Sequence, residues 1–346
     1  MGILALMIQG SAVEFLLPIW QRVLQRPSID VNENFFDLGG NPSLADTIFA
    51  EIAEERGRDL TPLLIYRAPT ISTLAALLEQ PDPPSVPPLL SLKAGPDSPP
   101  IYIAHGIGGT VFGFFDLVNK IETSHSIYGM QARGIDGVNK PFTTIEAMAQ
   151  FHLDAIKELQ PVGPYLLIGY SLGGLVALEI AQRLLAGGEK VALLALVDSY
   201  PHKNHLPAPQ RRRLSLRVTK RRVGLLMQSV LGKTRTRNVS GQEKNPVGGT
   251  RHFAPPTDGV PQWMEDAADV AWERYHPQFY PGAIKFVKAE INTYFPDDPV
   301  AVWSHLAAKF EVETAPGNHV GMIAAHFESL AKILGRYLRE AHASAR

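Results

Sequence analysis

The stretch Gly169-Tyr170-Ser171-Leu172-Gly173 constrains this chain more than any other. It fits Gly-x-Ser-x-Gly. The apolar run Tyr165-Leu166-Leu167-Ile168 before it is short enough for a buried strand, and Leu175 to Ala181 after it reads as helix. Strand, tight turn and helix form the setting in which a serine hydroxyl is lifted above a sheet as a nucleophile. The glycines permit the sharp turn. The amino end of the helix places the Leu172 N–H beside any oxyanion formed at Ser171. The plainer role for the same residues is a structural strand-to-helix turn.

A nucleophilic serine needs a base, and the base needs an orienting acid. Around the motif, apolar runs alternate with helical patterns. Strands are expected at Ile101–Ala104, Ser126–Met130, Val191–Val197, Ala283–Ala289 and Phe310–Thr314. Helices are expected at residues 143–159, 175–187 and 319–340. That alternation implies a mostly parallel doubly wound sheet, and with the elbow it implies an α/β-hydrolase. In such folds the chain order is serine, acid, histidine. His319, in Pro316-Gly317-Asn318-His319, follows the last strand and is the expected base. His305 and His326 are weaker alternatives, each placed within an expected helix. Asp198 ends the Val191–Val197 strand at the carboxyl edge, where open α/β sheets build sites, and is the expected acid. Asp297 and Asp298 are the alternatives. His105-Gly106-Ile107-Gly108-Gly109 follows the first of these strands and offers the Ile107 N–H as second oxyanion donor, with His105 read as structural. Its spacing fails the dinucleotide pattern Gly-x-Gly-x-x-Gly.

Composition narrows the function classes. The chain has 346 residues, 45% of them apolar, and a net charge of −1. That charge argues against nucleic acid or membrane partners. The absence of cysteine excludes disulfides, a thiol nucleophile and Cys-ligated zinc. It suits a reducing compartment, and a cytoplasmic location is expected. The run Ile3 to Ile8 is too short to span a bilayer and has no basic flank.

The amino-terminal region reads differently. Residues 14–25 place Leu16, Ile19, Trp20, Val23 and Leu24 on one helical face, with Pro18 expected in the first turn. Residues 44–56 and 71–78 read as two more helices, so residues 12–80 are expected to form a small all-α bundle. Phe35-Phe36-Asp37-Leu38-Gly39-Gly40-Asn41-Pro42-Ser43-Leu44 and Tyr66-Arg67-Ala68-Pro69-Thr70-Ile71 resemble the peptidyl or acyl carrier domains of nonribosomal peptide synthetases. The resemblance covers about residues 14–80. It implies a 4'-phosphopantetheine on a serine at a helix amino end, a place that suits a phosphodiester. Aligned without a gap, Pro42 falls on that serine and Ser43 comes one residue late. Either Ser43 takes over through a one-residue bulge, and a phosphopantetheinyl transferase is a partner, or the carrier is unmodified and Ser43 merely caps the helix.

Residues 81–99, rich in proline, are expected to be an extended linker. Beyond it, His105–Gly109, Gly129-Met130-Gln131-Ala132-Arg133-Gly134, Gly169–Gly174, Leu193–Pro201 and Pro316–His319 resemble the thioesterase domains that end nonribosomal peptide and polyketide assembly lines. This resemblance spans roughly residues 90–340, implies a thioesterase domain over residues 100–342, and implies a triad of Ser171, Asp198 and His319. It also implies a helical lid over about residues 201–265. There Arg211, Arg212, Arg213, Arg217, Lys220, Arg221 and Arg222 interleave with apolar residues, as a solvated face or as a docking surface for an acidic carrier. His202 and His205 have helical metal spacing but no carboxylate to complete a site, so no metal is expected.

Three functions compete. The first is release of an acyl or peptidyl chain from a carrier thioester, by hydrolysis or cyclisation. The second is a freestanding ester or acyl-CoA hydrolase with a carrier-like docking domain. The third is a non-enzymatic scaffold, against which the complete serine, acid and histidine set argues. Because the chain begins at the carrier, the acyl group is expected to come from an upstream synthetase or carrier protein in trans.

Overall fold

The computed structural model describes residues 12–58, 60, 62–66, 68–80, 86–135, 139–216, 262–292 and 295–345. The chain divides into two compact units, one of Met1–Pro87 with Arg133–Lys140 and the other of Pro88–Ala132 with Pro141–Arg346.

The first unit is a helical bundle of α1 (Ala12–Val23), α2 (Pro42–Arg56) and α3 (Ile71–Leu78), with a 3-10 turn at Pro62–Tyr66. Leu16, Ile19, Trp20, Phe35, Ile48, Phe49, Ile52 and Leu74 are buried between them. Each large apolar side chain removed from water contributes roughly 1.5–3 kcal/mol. Trp20 and Phe35 meet edge to face, ring centroids 5.2 Å apart. Local chemistry sets the helix ends. Asn41 caps α2, its Oδ1 accepting the Leu44 N–H at 3.1 Å. Gly57 closes that helix at φ +63°, in the left-handed region that favours glycine. Thr70 and Thr73 form a reciprocal capping box at the start of α3. Pro18 is not in a first turn: it is the seventh residue of α1. The helix begins earlier than the apolar pattern indicates, and it loses the bond that an N–H at position 18 would make to the Glu14 carbonyl.

The second unit is built on seven strands: β1 (Leu89–Lys93), β2 (Asp97–Ala104), β3 (His125–Met130), β4 (Tyr165–Tyr170), β5 (Val191–Val197), β6 (Tyr280–Ile291) and β7 (Ala307–Asn318). Their spatial order is β1-β3-β2-β4-β5-β6-β7, with β1 antiparallel to β3 and every other pairing parallel. Alternate residues serve opposite faces, as a two-residue period demands. Tyr102, Leu167, Leu194 and Phe286 pack with Ile145 and Met148 of α5 (Ile145–Leu159) and with Val176 and Ile180 of α6 (Leu172–Ala186). Ile101, Ile103, Leu166, Ile168 and Leu193 instead meet Leu117 and Val118, from α4 (Phe115–Lys120), and Leu330 and Leu334, from the helix Phe327–Ala345. Burial on both faces explains why β4 and β5 read as unbroken apolar runs.

Two expectations change. The proline-rich stretch 81–99 is not all linker: Leu89–Lys93 forms edge strand β1, and β2 begins at Asp97. Pro87 and Pro88 precede β1, where their missing N–H groups take nothing from the ladder. The expected last helix at 319–340 is two pieces, Gly321–Ala324 and Phe327–Ala345. His326 therefore lies between helices, and His305 lies in a turn after the short helix Pro299–Trp303.

Of the expected lid, the described parts are a 3-10 turn at Lys203–His205, a helix over residues 208–216, and the helix Gln262–Arg274. Arg211, Arg212 and Arg213 are exposed on the 208–216 helix. Arg217, Lys220, Arg221 and Arg222 lie outside the described residues.

Candidate active site

Three parallel strands deliver three side chains to one carboxyl edge. Ser171 follows β4, Asp198 follows β5, and His319 follows β7. The first two departures are tied to the neighbouring strand. The Ser171 N–H donates to the Val197 carbonyl at 2.9 Å, and the Asp198 N–H donates to the Val287 carbonyl at 2.7 Å. Both residues hold backbone conformations that non-glycine residues seldom adopt, φ +55° at Ser171 and φ +46° at Asp198.

The elbow at Ser171 is tight. A Cβ on Gly169 would lie 2.2 Å from the Gly173 carbonyl oxygen, and one on Gly173 would lie 2.1 Å from that of His105. Neither residue can be other than glycine without moving backbone. Ser171 stands at the N-cap of α6, yet its side chain makes no capping bond. The hydroxyl instead lies 3.1 Å from His319 Nε2.

His319 Nδ1 sits 2.8 Å from Asp198 Oδ2. A carboxylate only accepts, so Nδ1 carries the hydrogen and Nε2 presents a lone pair to the serine. The second oxygen, Asp198 Oδ1, accepts the Ala289 N–H of β6 at 3.2 Å. Asp198 and His319 are 4% and 2% exposed, so this pair works out of bulk water.

The alternative carboxylates are used elsewhere. Asp298 caps the helix Pro299–Trp303, accepting the Ala301 N–H at 3.1 Å. Asp297 Oδ1 accepts a bond from Asn292 Nδ2 at 3.2 Å. Neither is bonded to His319.

Two aromatic rings frame the histidine. Tyr170 stacks on it, centroids 4.8 Å apart and planes 19° from parallel, and its hydroxyl donates to the His319 carbonyl at 2.9 Å. Burial, and then the Asp198 carboxylate, push the Tyr170 phenol well above its ordinary pKa, so it remains a donor. Phe295 meets the same ring edge to face, centroids 4.8 Å apart. Sequence reasoning missed both. Tyr170 fills a free position of the Gly-x-Ser-x-Gly pattern, and Phe295 is remote in the chain.

The glycine-rich turn after β2 lies against the elbow. A Cβ on Gly106 would be 3.2 Å from the Tyr170 ring and 3.7 Å from Ser171 Cβ. The turn closes with the Gly109 N–H on the Gly106 carbonyl at 3.1 Å, which puts Ile107 at its first corner. Leu172 opens α6, so its N–H has no partner within the helix.

In the first unit, α2 begins at Pro42, which is the first helical residue. Pro42 thus stands in the first turn of the helix. Ser43 follows as the second helical residue, and its side chain lies outside what is described. Proline brings neither hydroxyl nor N–H to this turn, and the Leu44 N–H is taken by Asn41. Among the described residues no group of histidine and carboxylate side chains has a metal-holding arrangement, and no helix is long and apolar enough to cross a membrane.

Comparison with known proteins gives both units relatives. Residues 14–78 match the family described as phosphopantetheine attachment site, and residues 99–232 match the thioesterase domain. Over 190 residues the chain is 37% identical to a dimodular nonribosomal peptide synthase of Bacillus subtilis (strain 168), covering 55% of this chain and 8% of that protein. It is 35% identical to the indigoidine synthase of Dickeya dadantii (strain 3937) over 53% of this chain and 12% of the relative. It is 34% identical to enterobactin synthase component F of Escherichia coli O157:H7 over 50% and 14%. The chain thus spans a small part of the relatives it matches. Among solved structures, a four-domain nonribosomal peptide synthetase bound to AMP and glycine aligns with 95% of this chain and 26% of its own, at TM-score 0.58 and 20% identity. The NocB thioesterase domain in covalent complex with a fluorophosphonate nocardicin G analogue aligns over 70% and 95%, at TM-score 0.50 and 20% identity. These structural likenesses show the fold: a thioesterase-type α/β-hydrolase preceded by a helical carrier-type domain.

Proposed function

From a chain that joins a phosphopantetheine-carrier-type domain to a thioesterase domain of the nonribosomal peptide synthetase kind, we propose an enzyme that releases an acyl or peptidyl chain from a carrier thiol. The observation that carries this reading is the bonded line Asp198–His319–Ser171 at the elbow.

Ser171 Oγ attacks the thioester carbonyl carbon while its proton passes to His319 Nε2. A C–O bond forms, and the carbonyl pair becomes an oxyanion held by the Ile107 and Leu172 N–H groups. Asp198 stays ionised and steadies the imidazolium. Collapse breaks the C–S bond, and the thiol leaves with the proton from His319. Water, or a nucleophile within the acyl chain, then attacks the ester. His319 takes its proton and returns it to Ser171 Oγ. The first nucleophile gives hydrolysis and the second gives cyclisation.

Intact-mass analysis after mixing with an acyl-N-acetylcysteamine thioester tests this reading. The wild type should gain the acyl mass and release free acid. Absence of both would overturn it.

Ser43 is our attachment point for 4'-phosphopantetheine, as the hydroxyl-bearing residue of the first α2 turn. When bound, that group supplies the thiol that carries the acyl chain. Incubation with CoA and a phosphopantetheinyl transferase should add its mass to the wild type and not to Ser43→Ala. No addition would leave a docking domain, with acyl chains drawn from a carrier or synthetase in trans, or from acyl-CoA. A reducing, cytoplasmic setting suits this cysteine-free chain.

A further inference from the structure

His105 has the environment of a group with a task. It is 1% exposed. Its Nδ1 lies 2.6 Å from the carbonyl oxygen of the next residue, Gly106. A carbonyl only accepts, so Nδ1 must carry the hydrogen. Nε2 is then an acceptor, and it is buried with no partner, as is Nδ1 of His152. The two rings meet edge to face at 5.9 Å. Burial holds both below the ordinary histidine pKa, His152 further because His105 is beside it.

Among the described residues, Nδ1 is the ring nitrogen of His105 that has a bonded partner. The bond it does make falls on one peptide unit. The Gly106 carbonyl receives the His105 Nδ1–H from one direction and the Gly109 N–H at 3.1 Å from another. A trans peptide is planar, with its carbonyl and its N–H pointing opposite ways. The N–H of that same unit belongs to Ile107. Gly106 Cα is close enough to the elbow that a Cβ there would touch Ser171 Cβ at 3.7 Å.

We propose that His105 is a positioning residue: by holding the Gly106 carbonyl, it fixes the peptide plane that turns the Ile107 N–H toward the oxyanion formed at Ser171. Two donors on that carbonyl also polarise the peptide and make its N–H a stronger donor. The proposal rests on the acyl-transfer reading above.

The test uses the full chain and two variants. In His105→Asn, Nδ2 occupies the place of Nδ1, one bond beyond Cγ, and can still donate. His105→Leu fills similar space without a donor. Losing an oxyanion donor costs about 10²–10³ in kcat. His105→Leu should lose about 10² in kcat with KM within about twofold, and affinity for an alkyl trifluoromethyl ketone should fall by the same factor. His105→Asn should recover most of both. A packing role reverses the order, because leucine suits an apolar core better than asparagine. Wild-type kcat in His105→Leu, or a lower kcat in His105→Asn than in His105→Leu, would overturn the proposal. If neither variant folds, nitrogen-15 NMR of the wild type decides: the assigned His105 ring should be the Nδ1–H tautomer, and the Nε2–H tautomer would overturn it. A wild type that never acylates Ser171 overturns the acyl-transfer reading, whereas the variant kinetics address His105 alone.

Discussion

Each unit of this chain begins a helix beside a serine, and the two helix starts are built in opposite ways. At α2 the backbone enters through Asn41 in an ordinary extended conformation, φ −143°, and the Asn41 side chain satisfies the Leu44 N–H. Pro42 is preset for a first helical turn. At α6 the entry residue is Ser171 itself, at φ +55°, with its side chain withheld from capping. The α6 start is strained and the α2 start relaxed. Strain of this kind costs about 1–3 kcal/mol and persists only where the surroundings impose it. Here β4, β5 and the His105–Ile107 turn do so, through the Val197 carbonyl and the close approaches at Gly169 and Gly173. A serine that must attack is held by a scaffold around it. On the proposal that Ser43 carries phosphopantetheine, that serine needs only a stable helix start that another enzyme can find.

Deleting the Ser171 hydroxyl should produce the largest difference between the two sites. Ser171→Ala is expected to lower thioester turnover on the order of 10⁶-fold, with circular dichroism unchanged and phosphopantetheinylation of the carrier unaffected. Residual turnover within tenfold of the wild type would break the contrast. Asp198→Asn comes next. It presents an N–H where His319 Nδ1 also donates, favours the wrong imidazole tautomer, and should cost about 10⁴ in kcat, read by steady-state kinetics. Gly173→Ala tests the strain itself. Its Cβ would press on the His105 carbonyl, and overpacking costs about 1–3 kcal/mol. Both the melting temperature and kcat should fall, and a fall in neither would mean that the elbow is not constrained from that side. The smallest effect is expected from Asn41→Ala, about 1 kcal/mol of carrier stability. Denaturant unfolding should show it in the bundle while hydrolysis of a small thioester stays unchanged.

Much of this was legible in the chain because the signals were local. The elbow motif, the apolar runs of β4 and β5, and the aspartate directly after Val197 all lie within a few residues of what they determine. The α2 and α3 helices follow from apolar spacing and capping residues. What could not be read depends on distant partners or on competing local signals. Leu89–Lys93 is only five residues long and surrounded by prolines, and it becomes a strand because β3 lies ready to pair with it. The break before Phe327 leaves no mark in an apolar pattern that continues across it. Pro18 suggested a helix start, but tertiary burial of Leu16, Ile19 and Trp20 carries the helix through it. The rings of Tyr170 and Phe295 meet His319 only once β4, β7 and the segment after β6 stand side by side.

One bond described above bears on how such enzymes can diversify. The parallel pairing of β5 with β6 ends at Val197 and Val287, and the next residue, Asp198, prolongs it with its own N–H on Val287 and its Oδ1 on Ala289. The acid is thus fastened by pairing with β6, through bonds that lie outside the insertion between the two strands. Closing a longer loop adds cost only logarithmically with its length. The insertion between Asp198 and Tyr280 can therefore be lengthened, shortened or exchanged while the acid keeps its post, provided β6 pairs in the same register. Chimeras that graft other insertions between these strands should keep the chemistry and change the clientele, and a one-residue slip of β6 should silence the enzyme while the sheet still folds.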